Sequence, residues 1–180
     1  MEKKILNDFC FHKPKTLDEA LVLIDKYQEN GLLMEGGSEV IPNMKLLVVT
    51  PDHIISLKHI PEFDYITYTP GKGLHIGPSC TLTKVEYDPD VQTVYPSLYM
   101  GVHGMSNTNI HNISTVTGNI CYAVPSADTA APLLTLNAEL SVKSVDGERK
   151  VPITELFAGV RRTTLKKNEI VTDIFVPQPD

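Results

Sequence analysis

Apolar residues recur at helical spacing in "KTLDEALVLIDKY", where Ala20, Leu21, Leu23 and Ile24 fall on one face. Thr16 stands at the N-cap position with Glu19 three residues on, the pattern of a capping box. The pattern then shortens. "GLLMEGG" is a brief apolar run, Leu32 to Met34, stopped by a double glycine, and it predicts a buried strand. "VIPNMKLL" predicts a helical turn or short helix interrupted at Pro42. A second buried strand is predicted in "DHIISLKHI". In "DYITYTPGKGLHIGPSC", alternation at Tyr65 and Thr67, a turn at Pro70, Gly71 and Gly73, and then Leu74 and Ile76 predict a hairpin.

Farther on, "TLTKVEYDP" predicts a short helix and "YPSLYMGVHGMS" is moderately helical. "DTAAPLLTLNAELSVKSVDGERKVPI" predicts a helix and then a strand hairpin about Asp146 and Gly147, and "EIVTDIFVP" alternates as a strand. Segregated helices and hairpins without a regular βαβ repeat favour an α+β fold. The expected division falls near residue 60, between a small βαβ-like unit (1–60) and a larger antiparallel unit (61–180). The closing "VPQPD" reads as a boundary at which a further domain would begin.

The 180 residues, 42% hydrophobic, are enough for one substantial core or two small subdomains sharing one. A net charge of −6 with no Lys/Arg stripe argues against nucleic-acid binding, which needs clustered cations to neutralise phosphate. Cys10, Cys80 and Cys121 lie far apart, so the chain's own thiols build neither a zinc site nor an iron–sulfur cluster. Their sparse, odd number suits a reducing cytoplasm. With no signal-peptide pattern and no run near ~20 apolar residues, the expectation is a soluble cytoplasmic protein without direct membrane insertion. The six histidines show no metal-ligand spacing and are expected mostly at surface or strand positions. A GxSxG elbow, a Walker A lysine and a GxGxxG fingerprint are all missing, so any phosphate binding uses another scaffold.

Two stretches invite a ligand. In "LLMEGGSEV", Gly36 and Gly37 can take positive φ and let an anion approach successive N–H groups, with Ser38 adding a hydroxyl. A plain turn is the competing interpretation. In "NIHNISTVTGNICYAVPSAD", Thr115, Thr117, Gly118 and Asn119 offer neutral donors, which can hold a diphosphate where a buried Lys would be costly. The same composition also describes an ordinary polar loop. Asp128 could cap the following helix or accept from a sugar hydroxyl. Arg161, Arg162, Lys166 and Lys167 form a basic patch, either a solvated turn or a surface for a partner or an anionic ligand.

Taken in order, "MEGGSEVIPNMK", "SLKHIPEF", "LHIGPSCTLTKVE", "NIHNISTVTGNICYAVPSAD" and "LFAGVRRTTLKKNEIVTDIFVP" resemble the FAD-binding medium subunits of the molybdenum hydroxylase family, the xanthine and carbon monoxide dehydrogenase type. The family patterns are Ala-Gly-Gly-Thr-Asp for the first segment and Gln-Ile-Arg-Asn, Thr-Ile-Gly-Gly-Asn-Ile and Ser-Pro-x-(Ala/Ser)-Asp within the fourth. The resemblance covers nearly the whole chain. It implies a two-subdomain FAD-binding domain of the vanillyl-alcohol oxidase (PCMH) type, with FAD in the cleft between the subdomains. By position, Leu33, Met34, Glu35, Gly36, Gly37, Ser38, Glu39 and Val40 would wrap the diphosphate from one side. Thr115, Val116, Thr117, Gly118 and Asn119 would wrap it from the other. Asp128 would meet the ribityl or diphosphate region, and Val171 would lie beside the isoalloxazine.

Relative to the family pattern, Thr117 stands at a glycine position, Glu35 at a small residue, and Asn109 and His111 at Gln and Arg, while Glu39 keeps the carboxylate of Asp. The family's C-terminal domain, which follows the "VP" strand, is expected to be absent from this chain. The implied role is electron transfer in a heterotrimer. A [2Fe–2S] subunit, fed by a molybdopterin-binding large subunit, would reduce the FAD, and NAD, ferredoxin, quinone or oxygen would accept the electrons. No catalytic acid, base or nucleophile is expected. A flavin-free scaffold of the same fold is the rival, motivated by Thr117 and Glu35, and a stand-alone FAD oxidase is a weaker third.

Overall fold

The computed structural model describes residues 6–179. Strand β1 (Cys10–His12) leads into helix α1 (Leu17–Tyr27), which Thr16 caps by accepting the Glu19 N–H at 3.2 Å. The Glu19 carboxylate reaches back one residue beyond the usual capping-box partner, to the Lys15 N–H at 2.7 Å. After β2 (Gly31–Met34) comes α2 (Val40–Lys45), then β3 (His53–Ser56). Pro42 does not interrupt α2. It sits in the first turn, where its missing N–H has no intrahelical partner to lose. The three strands form a parallel sheet of order β1-β3-β2, with Leu33 opposite Ile55. Ala20, Leu21 and Ile24 of α1 pack with Ile55, Leu57, Ile60 and Phe63, and each fully buried aliphatic side chain contributes about 1.5–3 kcal/mol.

A 3₁₀ turn, Leu57–His59, shortens the predicted "DHIISLKHI" strand, and a second, Pro61–Phe63, follows it. The chain then makes the expected hairpin, β4 (Ile66–Thr69) with β5 (Gly73–Ile76), in antiparallel register. Six short helices follow: α3 (Leu82–Tyr87), α4 (Pro89–Val94), α5 (Pro96–His103), α6 (Thr108–His111), α7 (Val116–Cys121) and α8 (Ala130–Thr135). Next come the hairpin β6 (Glu139–Ser144) and β7 (Gly147–Pro152), α9 (Ile153–Leu156), the small pair β8 (Phe157–Gly159) and β9 (Arg162–Thr163), and β10 (Ile170–Pro177). Strand β10 is central in the antiparallel order β4-β5-β10-β6-β7.

The helical insert between β5 and β6 builds the larger core. Leu82, Val85, Val91, Tyr95, Leu98, Val102, Ile120 and Leu133 pack with Leu74, Ile76, Leu140 and Ile174 of the sheet. A second, smaller core lies around α1, and Ile170 at the start of β10 belongs to it. The segment ahead of β10 is tied to the same side by Lys167 Nζ to Glu29 (2.6 Å) and Asn168 Nδ2 to Asp25 (2.9 Å). Mixed helix and strand in this arrangement is the predicted α+β class. Among the described residues no helix is long and apolar enough to cross a membrane.

Candidate functional site

A cleft of about 750 Å³ opens between the β2–α2 turn on one side and α7 with the segment 163–171 on the other. Every residue that the resemblance assigns to the cofactor lines it except Val116, whose side chain lies in the larger core. Lys166 and Lys167 of the predicted basic patch also line the cleft. Arg161 instead lies over the Tyr122 ring, its guanidinium 5.2 Å from the centroid.

On the first wall the two glycines differ. Only Gly37 has positive φ (76°), whereas a Cβ on Gly36 would fall onto the backbone carbonyl of Ile113. Gly36 therefore lets the β2–α2 turn lie against the backbone of the opposite wall, which is a packing role. Next to it, Ser38 and Ser114 hydroxyls meet at 2.8 Å, and Asn43 Nδ2 donates to the Tyr122 hydroxyl at 3.0 Å. Glu39 is exposed and, despite its place at the head of α2, makes no side-chain cap.

Glu35 turns inward. The Ser79 hydroxyl donates to its Oε2 at 2.7 Å, while its Oε1 is buried with no partner among the described residues. Burial pushes the Glu35 carboxyl up to about 7, against the opposing pull of the Ser79 hydrogen bond. Burial and the neighbouring Glu35 push the Cys121 thiol up to about 12. Ser79 carries no motif signal, and sequence reasoning missed it.

The opposite wall is more ordered than a polar loop. Asn107 Oδ1 accepts the Asn109 and Ile110 N–H groups to start α6, and the Thr115 hydroxyl accepts the Gly118 N–H at 2.9 Å to start α7. The Gly118 N–H is thus engaged by the helix cap, leaving its exposed backbone as the surface it offers. Asn119 Oδ1 accepts from the Thr129 hydroxyl at 2.6 Å, so Asn119 fixes the turn ahead of α8 and keeps only its amide for a ligand. Thr117 is 6% exposed, and its Oγ1 is a second buried atom without a partner among the described residues. Asp128 does not cap α8. The N-cap is Thr129, whose side chain makes no cap bond to the helix, and Asp128 stays exposed at the cleft. Val171 lies beside a bulge in β10 and opposite Val142 of β6.

His111 departs from the expectation of surface or strand positions. It is buried, with Nδ1 2.8 Å from Glu86 and Nε2 against the Met105 carbonyl, and His103 meets the other Glu86 oxygen at 2.8 Å. This cluster braces the turn at Met105 and Ser106, two further residues of the cleft wall. Its members come from three helices, a juxtaposition that no local pattern encodes.

Residues 7–179 match the family model described as the FAD binding domain in molybdopterin dehydrogenase. The chain is 30% identical over 179 residues to the nicotinate dehydrogenase FAD-subunit of Eubacterium barkeri, covering 97% of this chain and 60% of that protein. It is 30% identical over 169 residues to the carbon monoxide dehydrogenase medium chain of Hydrogenophaga pseudoflava, covering 94% and 58%. A solved carbon monoxide dehydrogenase from the same organism superposes with a TM-score of 0.93 at 28% identity, over 98% of this chain and 61% of that one. The chain therefore spans about three fifths of the length of these relatives.

Proposed function

Because the chain belongs to the family of FAD-binding domains of molybdopterin dehydrogenases, we propose that it is the FAD-holding, electron-transferring part of a molybdenum hydroxylase complex. The observation that carries this is the cleft, where two separated polar segments converge and leave the buried Glu35 Oε1 and Thr117 Oγ1 without a partner among the described residues. Buried polar atoms are nearly always bonded, so such a pair calls for a ligand rich in hydrogen-bonding oxygens. A cleft of this size also lies in the range that encloses cofactors.

Residues Leu33–Val40 would hold the diphosphate from the β2–α2 side, with Thr115, Thr117, Gly118 and the Asn119 amide opposite. Val116 supports this wall from within the core, Asp128 would face the sugar-alcohol portion, and Val171 would offer its backbone to the ring system. The units 1–60 and 61–180 act as two subdomains of the PCMH type, supported by the separate parallel and antiparallel sheets. Bound FAD supplies two-electron chemistry with an external acceptor and one-electron exchange with a [2Fe–2S] centre. The side chains of this chain bind and orient it and exclude water. The proposed partners are a [2Fe–2S] subunit and a molybdopterin-binding large subunit, with NAD, ferredoxin, quinone or oxygen as acceptor and the cytoplasm as the compartment.

The rival scaffold without flavin predicts a colourless protein. Purified protein is to be denatured and its supernatant assayed for flavin fluorescence, with FAD titrated into the folded apoprotein in parallel. Stoichiometric flavin or saturable binding is expected. A folded protein that neither carries nor binds FAD, and gains binding on Thr117→Gly, would establish the scaffold.

A further inference from the structure

Glu35 is a carboxylic acid set directly before the double glycine, in a wall expected to face a diphosphate. An ionised carboxylate there would repel the ligand and would be costly to bury. The hydrogen bonds resolve the conflict. Ser79 donates to Oε2, which leaves Oε1 as the atom able to carry a proton. Thr117, on the opposite wall, holds a second buried oxygen without a partner among the described residues. Phosphate oxygens only accept, so both atoms can satisfy them only as donors.

Resting on the FAD reading above, we propose that Glu35 binds the cofactor's diphosphate as a neutral acid, donating from Oε1 alongside the Thr117 hydroxyl, so that occupancy of the cleft is coupled to one proton on Glu35. The environment suits that state. The carboxyl already titrates near 7 because of burial, and a diphosphate beside it raises the value further. The titratable group facing Glu35 from α7 is Cys121, whose thiol stays neutral throughout this range. From the β5–α3 connection the neighbour is Ser79, which also approaches the Leu57 carbonyl of the first 3₁₀ turn. The cleft's other charged residues, Glu29, Glu39, Asp128, Lys166, Lys167 and Glu169, take no part in the Glu35 shift.

The test is the FAD dissociation constant of the apoprotein, read by flavin fluorescence from mildly acidic to mildly alkaline pH. Uptake of one proton weakens binding by up to about tenfold per pH unit between the Glu35 value of the free protein and its higher value in the bound state. Glu35→Gln keeps a neutral donor in the same volume and is expected to bind FAD without this slope, with circular dichroism confirming its fold. ADP-ribose, which carries the diphosphate diester but no flavin, should share the wild-type slope as a competitor, and riboflavin should not. A pH-independent wild-type constant overturns the coupling while leaving FAD binding intact. Tighter binding at high pH overturns it in favour of an accepting carboxylate. Absence of FAD binding at every pH overturns both readings together.

Discussion

Gly36 and Gly37 look identical in sequence and do different work. Gly37 supplies positive φ, whereas Gly36 supplies the absence of a side chain where two backbones meet. Gly36→Ala is therefore expected to cost about 1–3 kcal/mol or more, since the obstacle is a carbonyl that cannot rotate away. Gly71, with φ of 77° and nothing within 4 Å of its absent Cβ, is the control, and Gly71→Ala should cost only about 1 kcal/mol of backbone strain. Urea unfolding midpoints compare the two, and equal losses would remove the packing role from Gly36. Glu35 gives a second expectation at this scale. Its carboxyl titrates near 7 when folded against 4.5 ordinarily, so the folded apoprotein holds a proton that the unfolded chain has released between those values. Its contribution is fully present below 4.5 and is lost as pH rises through 7, about 3 kcal/mol in all. Glu35→Gln should flatten that part of the stability profile in apoprotein unfolding.

Elements were legible where a local pattern determines them. The capped helix α1, the β4–β5 and β6–β7 hairpins and the central strand β10 all follow from periodicity and turn chemistry. Helices α6 and α7 were not, because Asn and Thr caps make a helix start look like a polar loop until their hydrogen-bond partners are visible. Val116 shows the same limit, since one position of a binding segment turns into the core once the segment is helical. The ion pair behind the second wall is likewise invisible in sequence. Arg149 of β7 grips Glu169 through Nε and Nη2, both at 2.8 Å, while Glu169 also accepts the Lys166 N–H at 2.7 Å. Arg149 above all holds the buried Glu169 carboxyl below the usual range. A depressed carboxyl contributes stability that is present above its unfolded value and lost as pH falls through the folded one. Arg149→Ala should thus cost about 1–3 kcal/mol at neutral pH by leaving a buried carboxylate short of a partner. The gap between variant and parent should close in acid, where thermal unfolding across pH provides the check.

At the scale of the molecule, two cores meet across a seam made largely of polar and backbone contacts. The seam holds the Gly36 turn on Ile113, the Ser38–Ser114 pair, the Asn43–Tyr122 bond and the Glu35–Ser79 bond, with β10 contributing Ile170 to one core and Ile174 to the other. Hydrogen bonds of this kind give about 1 kcal/mol net each, far less than an apolar core, so the seam is expected to open before either core does. A ligand that bonds both walls adds its free energy where the protein itself supplies little. FAD at a hundredfold excess over its dissociation constant should raise stability by about 2.7 kcal/mol. The gain should be local as well as global. Amide hydrogen exchange is expected to slow on FAD addition in residues 35–40 and 114–119, and to change little in β4 and α4, none of whose residues lines the cleft. Uniform slowing over both sheets would mean that the two cores already unfold as one unit, and protection confined to a single wall would mean that the ligand does not bridge them.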